Sequence, residues 1–315
     1  MRRGLVTIGL TTLDVVARPI DALPESESTV LVDGVALAPA GTAAGAAYVA
    51  SKLGMDVALI GAVGDDLAGR FVRLALDEAG VDTSLVEIQA GVPTSTTVLA
   101  VDSSGRRPNF HAPGAGGAAR VTDAAIETAK AAKFLHYAGI GGRKLDKGPG
   151  AALAKAAREA GAVVTCDLIS PRRSAPDELK SILPHLDYFM PSATEARFLT
   201  GLDDLQAAGE VFLAQGARNV IIKNGRAGSL IMFGGERTTL PAFAIDPVDT
   251  TSCGDSYCAG FIAALDRGWS PLEAARFATA TSALVAQGLA TLGRLENFDA
   301  TVEAMRRMTP VTETA

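Results

Sequence analysis

Short apolar runs alternate with alanine-rich helical patterns through most of the chain. Six of these runs predict buried strands, at 4–10, 57–61, 133–137, 162–167, 188–190 and 219–223. Five stretches carry the apolar spacing of helices, at 43–53, 68–79, 151–160, 193–200 and 205–215. Strands that alternate with helices are joined by right-handed crossovers into a sheet covered on both faces. The pattern therefore predicts a three-layer αβα sandwich with a mostly parallel central sheet.

Two stretches depart from this alternation, at 28–38 and 94–111. Both carry β-branched, partly alternating residues with no helix between the strand-like runs. The second contains the turn signal Ser-Ser-Gly at 103–105. We expect a small antiparallel sheet that projects from the main one as a lid or an oligomer surface. No low-complexity linker divides the chain, so 1–315 is predicted to be one domain, with lid strands inserted at about 11–40 and 92–115.

The composition fits an ordinary globular protein and excludes several functions. Of 315 residues, 48% are hydrophobic and 20% are charged, which is enough apolar material for a large core. The net charge is −6 and no basic cluster exceeds an arginine pair, so no nucleic-acid partner is expected. The apolar run at 5–10 is too short for a secretory signal or a membrane span. Three cysteines and three isolated histidines predict reduced thiols, a cytoplasmic setting and no zinc site.

The segment most suggestive of chemistry is DTTSCGD at 249–255, which precedes an alanine-rich helical run at 256–265. Small residues here open a helix whose first amides have no partner within the helix. Such amides, with the helix dipole, bind phosphate oxygens. A carboxylate at the same place, Asp255, can accept a proton from a hydroxyl that attacks phosphorus. Taken alone, an aspartate at a helix start is more often only a favourable acidic residue in the first turn.

This segment resembles the C-terminal signature D-T-T-G-A-G-D of the ribokinase-like (phosphofructokinase-B-type) carbohydrate kinases. The resemblance implies that Asp255 is the catalytic base. It also implies that the amides of Ser252, Cys253 and Gly254 form an anion hole for the transferred phosphoryl group. Cysteine in place of alanine is a mild departure, because the amide acts. Ser252 in place of glycine is more serious, since serine reaches the required backbone angles only with strain.

A second stretch is similar to the N-terminal signature G-G-x-x-x-N-x-A…L-G of the same family. It reads AGTAAGAA at 40–47 and KLG at 52–54, and VALIGAVGDDLAG at 57–69 resembles the strand and turn that follow. The resemblance implies that Gly41, Thr42 and Gly45 lie beside the acceptor. Gly45 replaces an asparagine that contacts substrate hydroxyls, so we expect an acceptor other than the usual pentose or hexose. Tight packing between helix and sheet would also select these small residues.

Asp14 follows the first predicted strand, in what we expect to be a loop. It matches the family position that holds acceptor hydroxyls, and a carboxylate can accept two hydrogen bonds from a diol. A loop aspartate is also a common turn or cap residue, and both interpretations stay open.

On the nucleotide side, PSATE at 191–195 resembles the family's N-x-x-E element, with Ser192 in place of asparagine. The resemblance implies ATP and Mg²⁺ as cofactors, with Glu195 holding Mg²⁺ through water. Without it, Ser192 and Glu195 form a helix capping box. The segment KNGRAG at 223–228 is similar to the loop beneath ATP, which assigns Lys223, Gly225 and Gly228 to nucleotide binding.

Asp249 and Thr251 resemble ligands of the family's monovalent-cation site. The second half of that site would fall between 286 and 293, where no ligands can be assigned, so a K⁺ requirement stays open. The segment DLISPR at 167–172 only loosely resembles the family's D-x-N-x-R segment, because the asparagine is missing.

The motifs occur in the family's order from Gly4 to about Gly293. A glycine cluster for dinucleotides and a Walker lysine are both absent from the sequence. The sequence thus predicts ATP-dependent phosphorylation of a hydroxymethyl group on a small polyhydroxy substrate, a sugar or sugar derivative. The alternatives are a nucleoside kinase of the same fold, or a ligand-binding member with weakened catalysis. The resemblance also raises a homodimer through the lid sheet as a hypothesis.

Overall fold

The computed structural model describes residues 3–169, 171 and 175–312. Its strands are β1 (Arg3–Gly9), β2 (Thr12–Arg18), β3 (Gly34–Ala40), β4 (Val57–Gly64), β5 (Val81–Asp82), β6 (Val86–Gln89), β7 (Thr96–Ala100), β8 (Asn109–Ala112), β9 (Ala132–Ala138), β10 (Val163–Cys166), β11 (Tyr188–Phe189), β12 (Val220–Lys223), β13 (Ser229–Phe233) and β14 (Glu236–Leu240). Its helices are α1 (Thr42–Lys52), α2 (Leu67–Glu78), α3 (Asp123–Lys130), α4 (Pro149–Glu159), α5 (Ala175–Ile182), α6 (Ala193–Thr200), α7 (Leu205–Ala214), α8 (Cys253–Asp266), α9 (Pro271–Ala286) and α10 (Phe298–Arg307).

The main sheet has the strand order β14-β13-β12-β11-β10-β9-β1-β4-β5, and β6 also pairs with β4. From β12 to β5 and β6 every pairing is parallel, while β13 and β14 add an antiparallel edge. All eight residues of β4 are buried, as expected for a strand covered on both faces. The continuous apolar runs therefore predicted the right strands.

Helices cover both faces of this sheet. One apolar cluster joins one face to α1, α2, α8, α9 and α10, with Phe261 and Phe277 fully buried in it. The other cluster joins the opposite face to α3 through α7 and includes Leu153 and Phe212. The predicted three-layer αβα architecture is confirmed. No helix in the described part of the chain is long and apolar enough to cross a membrane.

A separate small sheet, which we call the lid, has the order β3-β2-β7-β8. Its strands lie within the predicted ranges 11–40 and 92–115. The pairs β2–β3 and β7–β8 are antiparallel, but β2 and β7 are parallel, so the lid is mainly rather than wholly antiparallel. The loop expected at Asp14 is wrong, because Asp14 lies within β2. Four of the six residues at 11–16 are β-branched, which favours a strand there, and Asp14 lies on its inner face with Val16.

The two faces of the lid differ in burial. On the inner face Val16, Ala38 and Leu99 are buried, together with Ala290 of the main domain. On the outer face four apolar side chains are between 44% and 61% exposed: Val35, Leu37, Val98 and Phe110. The lid thus has one face on the main domain and one apolar face toward solvent.

Candidate active site

The start of α8 presents backbone amides without protein partners. The Cys253 amide donates to the Thr250 carbonyl at 3.4 Å, and the helical hydrogen bonds begin with Ser256, whose amide donates to the Ser252 carbonyl at 2.8 Å. Between them, the amides of Gly254 and Asp255 have no acceptor among the described residues. Such a helix start can bind the oxygens of an anion. The sequence predicted an anion hole from the amides of Ser252, Cys253 and Gly254; in the structure the Cys253 amide has a partner, and the free amides include those of Gly254 and Asp255.

Ser252 reaches its place before α8 with a left-handed backbone, φ 55° and ψ 12°. Its side chain makes no capping hydrogen bond to the helix. A non-glycine residue is strained in this region, so the strain expected from serine at a glycine position is present. The backbone nevertheless takes the turn that directs the following amides outward.

Asp255 lies in the first turn of α8 and is partly exposed. Burial, followed by the charge of Asp167, raises the pKa of Asp255 to about 7, and the charge of Lys223 opposes this rise. A carboxyl group with a pKa near neutrality is suited to accept a proton in a reaction. The geometry and the pKa therefore agree with a general base.

Gly41 and Gly45 bring α1 close to the reacting end of the site. A Cβ at Gly45 would lie 3.1 Å from Oδ2 of Asp255, so no side chain separates α1 from the carboxylate. Gly41 has φ +89°, and a Cβ there would lie 2.6 Å from the Leu10 carbonyl oxygen. Thr42 uses its hydroxyl to donate to the Ala138 carbonyl at 2.8 Å. Thr42 therefore joins α1 to the end of β9, and its hydroxyl oxygen can still accept a hydrogen bond.

Asp14 lies on the lid side of the same space. It is 7% exposed, and the Thr12 hydroxyl donates to its Oδ1 at 3.2 Å. Burial raises the pKa of Asp14, whereas the hydroxyls of Thr97 and Thr12 lower it. The Asp14 charge also raises the pKa of Asp255, so the two carboxylates are near neighbours. The structure thus brings together the predicted acceptor residue and the predicted base.

A buried ion pair lies beneath the start of α8. Nζ of Lys223 is 2.5 Å from Oδ2 of Asp167, and both side chains are almost fully buried. The Cys258 thiol is 3.4 Å from the same carboxylate oxygen. A Cβ at Gly254 would lie 3.4 Å from Nζ of Lys223, so the ammonium group lies close to the Gly254 backbone at the start of α8. The sequence assigned Lys223 to the nucleotide, but the structure places its charge in this pair.

The Lys223 ammonium group stays charged in this setting. Burial lowers the pKa of Lys223, but Asp167, Cys258 and Glu195 together raise it above its ordinary value. Asp167 is a residue that the sequence did not assign to the site. Its only signal was its place at the end of β10 in the loosely matching segment 167–172, of which Ser170 and Arg172 lie outside the described residues.

Ser192 and Glu195 form a reciprocal capping box at the start of α6. The Ser192 hydroxyl accepts from the Glu195 amide at 3.2 Å, and the Ser192 amide donates to Oε2 of Glu195 at 2.7 Å. Burial and then Asp167 raise the pKa of Glu195, while Lys223 lowers it. Glu195 is thus close to the buried ion pair, and the structure contains the capping arrangement that the sequence offered as an alternative.

Gly225 and Gly228 form the loop after β12. Both have positive φ, at 53° and 84°. A Cβ at Gly228 would lie 1.9 Å from the Leu240 carbonyl oxygen, so this glycine is required by a close crossing of two backbone segments. A Cβ at Gly225 would meet nothing within 4 Å, which leaves an open backbone surface for a ligand.

Asp249 is fully buried and joins two loops. Its Oδ1 accepts from the amide and the hydroxyl of Thr251, at 2.8 and 2.6 Å, and its Oδ2 accepts from the Ala290 amide at 2.9 Å. The Asp249 amide in turn donates to the Ala286 carbonyl at 3.2 Å. The two predicted halves of a cation site are therefore in contact. Within 3–169, 171 and 175–312, no cluster of three or more His, Cys, Asp or Glu side chains is placed to hold a metal ion.

Comparisons with known proteins show which proteins the chain resembles over almost its whole length. The profile described as "pfkB family carbohydrate kinase" matches residues 2–295. The chain is 28% identical to a ribokinase from Haemophilus influenzae over 90% of this chain and 92% of that protein. It is 25% identical to a nucleoside kinase from Methanothermobacter thermautotrophicus, over 98% and 96%. The solved structure of Arabidopsis thaliana ribokinase complexed with ribose and ATP superposes with a TM-score of 0.80, 25% identity and coverage of 97% and 99%.

Proposed function

Because the chain belongs to the pfkB family of carbohydrate kinases, we propose that it transfers the γ-phosphoryl group of ATP to a hydroxymethyl group of a small polyhydroxy substrate, with Asp255 as the general base. One observation carries the proposal. The Asp255 carboxyl group, with a pKa near 7, lies at a helix start whose amides are free to bind an anion. The proposed base and the proposed anion-binding amides therefore lie side by side at the start of α8.

The reaction is an in-line phosphoryl transfer. The acceptor oxygen forms a bond to the γ-phosphorus while the bond to the β-bridging oxygen breaks and ADP leaves. Asp255 takes the proton of the acceptor hydroxyl. The amides of Gly254 and Asp255 bind the oxygens of the phosphoryl group in transit, and the α8 dipole favours its negative charge. The Lys223 ammonium group below Gly254 adds positive charge at the same point.

The acceptor lies between the lid and the start of α8. Asp14 accepts hydrogen bonds from its hydroxyls, since this carboxylate is buried on the inner lid face and next to Asp255. Gly41 and Gly45 let the acceptor approach the α1 backbone, and the absence of a side chain at Gly45 leaves space that a substituent can fill. The lid excludes water, which suppresses transfer of the phosphoryl group to water.

The nucleotide side includes Ser192, Glu195, Gly225 and Gly228. Lys223 acts here through its charge, from within the buried pair. The Glu195 carboxylate fits Mg²⁺, which prefers oxygen ligands and commonly binds proteins through water. Bound Mg²⁺ neutralises charge on the nucleotide phosphates. Asp249 and Thr251 are the proposed ligands of a monovalent cation. Equal activity in potassium and in choline salts would remove that assignment.

The outer face of the lid supports a homodimer. Val35, Leu37, Val98 and Phe110 form an exposed apolar surface on one sheet, and such surfaces commonly mark association sites. Light scattering of the intact chain and of Phe110→Glu tests this. A dimer that the substitution dissociates supports the lid interface, and a monomeric intact chain contradicts it.

Nucleoside phosphorylation is the second candidate, favoured by the similarity to the nucleoside kinase over 98% of the chain. One experiment decides between the candidates. ADP release with Mg·ATP is measured across sugars, sugar acids, polyols and nucleosides, with Asp255→Asn as the control. Acceptor-dependent ADP release that the variant loses identifies a kinase and its substrate class. If no acceptor causes ADP release but ligand binding is still detectable by thermal shift, a binding protein with weakened catalysis is favoured.

A further inference from the structure

The turn between β7 and β8, at the tip of the lid, is ordered by one carboxylate. Oδ1 of Asp102 accepts from the amide and the hydroxyl of Ser104 at 2.9 and 2.7 Å and from the Arg106 amide at 2.9 Å. Its Oδ2 accepts from Nε of Arg106 at 2.6 Å. These bonds, led by the Ser104 hydroxyl, lower the pKa of Asp102 to about 2. Asp102 is therefore ionised at neutral pH, where it can accept all four of these hydrogen bonds.

This ordered turn reaches the loop that leads to the anion hole. Nε of Arg107 donates to the hydroxyl of Thr250 at 2.9 Å, across 143 positions of sequence. A Cβ at Gly105 would lie 3.6 Å from the Pro247 carbonyl oxygen, so the turn also packs against this loop. The Thr250 carbonyl in turn accepts a hydrogen bond from the Cys253 amide. The lid tip thus contacts the segment that positions the first residue of α8.

The charge of Arg107 is not balanced by a nearby acid. No carboxylate among the described residues lies within ion-pair distance of Arg107, whereas its neighbour Arg106 is paired with Asp102 at 2.6 Å. Burial raises the pKa of Asp14 and of Cys253, and the Arg107 charge opposes both rises. The guanidinium group, held at Thr250, is therefore close enough for its charge to act both on Asp14 of the lid and on Cys253 at the start of α8.

We propose that Arg107 is an anion-contacting residue of the active site, whose Nη groups bind phosphate or carboxylate oxygens between the lid and the start of α8. With Nε held by Thr250, the planar guanidinium group keeps its two Nη nitrogens for a ligand, and this geometry matches two oxygens of one anion. The inference rests on phosphoryl transfer at Asp255. Two sources supply such oxygens, the phosphoryl group in transit and an anionic substituent of the acceptor.

Paired acceptors distinguish these two sources. Turnover of Arg107→Gln and Arg107→Lys is measured with ribose and ribose 1-phosphate and with fructose and fructose 6-phosphate. If Arg107 contacts the transferred group, kcat of Arg107→Gln falls about 10- to 100-fold with neutral and charged acceptors alike, and KM changes little. If it contacts the acceptor, KM rises by a similar factor for the phosphorylated acceptor only. Either result supports the proposal. Arg107→Lys keeps the positive charge and should show a smaller loss than Arg107→Gln.

The neighbouring arginine supplies the matched control. Arg106→Gln removes the same charge and disturbs the same turn but leaves Arg107 in place. If Arg106→Gln reproduces the loss, or if Arg107→Gln changes no kinetic constant with any acceptor, Arg107 only holds the lid and the proposal is overturned.

A binding measurement keeps the inference testable if none of these acceptors is phosphorylated. Inorganic pyrophosphate is titrated calorimetrically into the intact chain and into both glutamine variants at low ionic strength. Binding that weakens about tenfold in Arg107→Gln but not in Arg106→Gln supports the proposal. Equal binding in all three proteins, or binding to none, contradicts it. If the intact chain phosphorylates no acceptor but binds pyrophosphate through Arg107, the proposed reaction is refuted. The proposed anion site is then still supported.

Discussion

Lys223 and Asp167 form a buried ion pair at the floor of the site, with Nζ and Oδ2 2.5 Å apart. The pair arises from the ends of two strands of the parallel sheet, β12 and β10, which converge at the edge where α8 begins. Removing either charge from water is costly, and the attraction between the two offsets that cost. The two charges act on Asp255 in opposite directions: Asp167 raises the pKa of Asp255, and Lys223, below Gly254, lowers it by less.

Replacing Lys223 with Met should lower the free energy of unfolding by about 3–5 kcal/mol, because Asp167 is left as an uncompensated buried charge. The acid limb of the pH–rate profile should also move to higher pH, because the charge that lowers the pKa of Asp255 is gone. Chemical denaturation and a pH–rate profile measure the two effects. The double variant Lys223→Met/Asp167→Leu is the control and should recover much of the stability. Additive losses in the double variant would show that the two residues do not act as a pair.

Replacing Ser252 with Gly should stabilise the fold by about 1 kcal/mol. The serine has φ 55°, which glycine adopts without strain, and its side chain contributes no helix cap. Ser252→Ala keeps the strained backbone and is the matched control, with no gain expected. Thermal unfolding measures both variants. Equal stability of the glycine and alanine variants would mean that the left-handed conformation is not a source of strain.

The sequence correctly predicted the elements that depend on local residue patterns. The all-apolar run at the start of β4 predicted a buried central strand, and the small residues at 249–255 predicted a helix start with free amides. Asp14 was misplaced because β2 reads TLDVVAR, a short segment without apolar alternation and with a carboxylate near its start. The burial of that carboxylate depends on β7 and on the main domain, which local sequence does not reveal.

The contacts that complete the site join distant segments. Lys223 and Asp167 are 56 positions apart, and Arg107 and Thr250 are 143 apart. One sequence gives the residue types but not which cation meets which acid, so Lys223 was assigned to the nucleotide and Asp167 and Arg107 to no role. Asp167 directly follows β10, which lies between β9 and β11. Because the carboxyl ends of neighbouring parallel strands meet at one edge of the sheet, Asp167 lies near the centre of the site.

Replacing Gly45 with Ala should lower turnover while stability holds or rises. The new Cβ would lie 3.1 Å from Oδ2 of Asp255, closer than ordinary contact, so the carboxylate must shift. Alanine within a helix is otherwise favoured over glycine by about 0.5–1 kcal/mol. Steady-state kinetics and thermal unfolding of the same preparation separate the two effects. Unchanged kcat would mean that the Asp255 carboxylate tolerates displacement and that Gly45 serves packing alone.

The role of Asp255 is tested most directly by the pH dependence of kcat/KM in the intact chain and in Asp255→Asn, with ATP affinity measured in both. The base must be ionised, and its pKa is raised to about 7, so activity of the intact chain should be full at alkaline pH and lost as pH falls through about 7. The variant should bind ATP normally, lose about 10²- to 10⁴-fold in rate, and show no such inflection. Turnover in Asp255→Asn equal to that of the intact chain, or the same inflection in both, would contradict the assignment of Asp255 as the base.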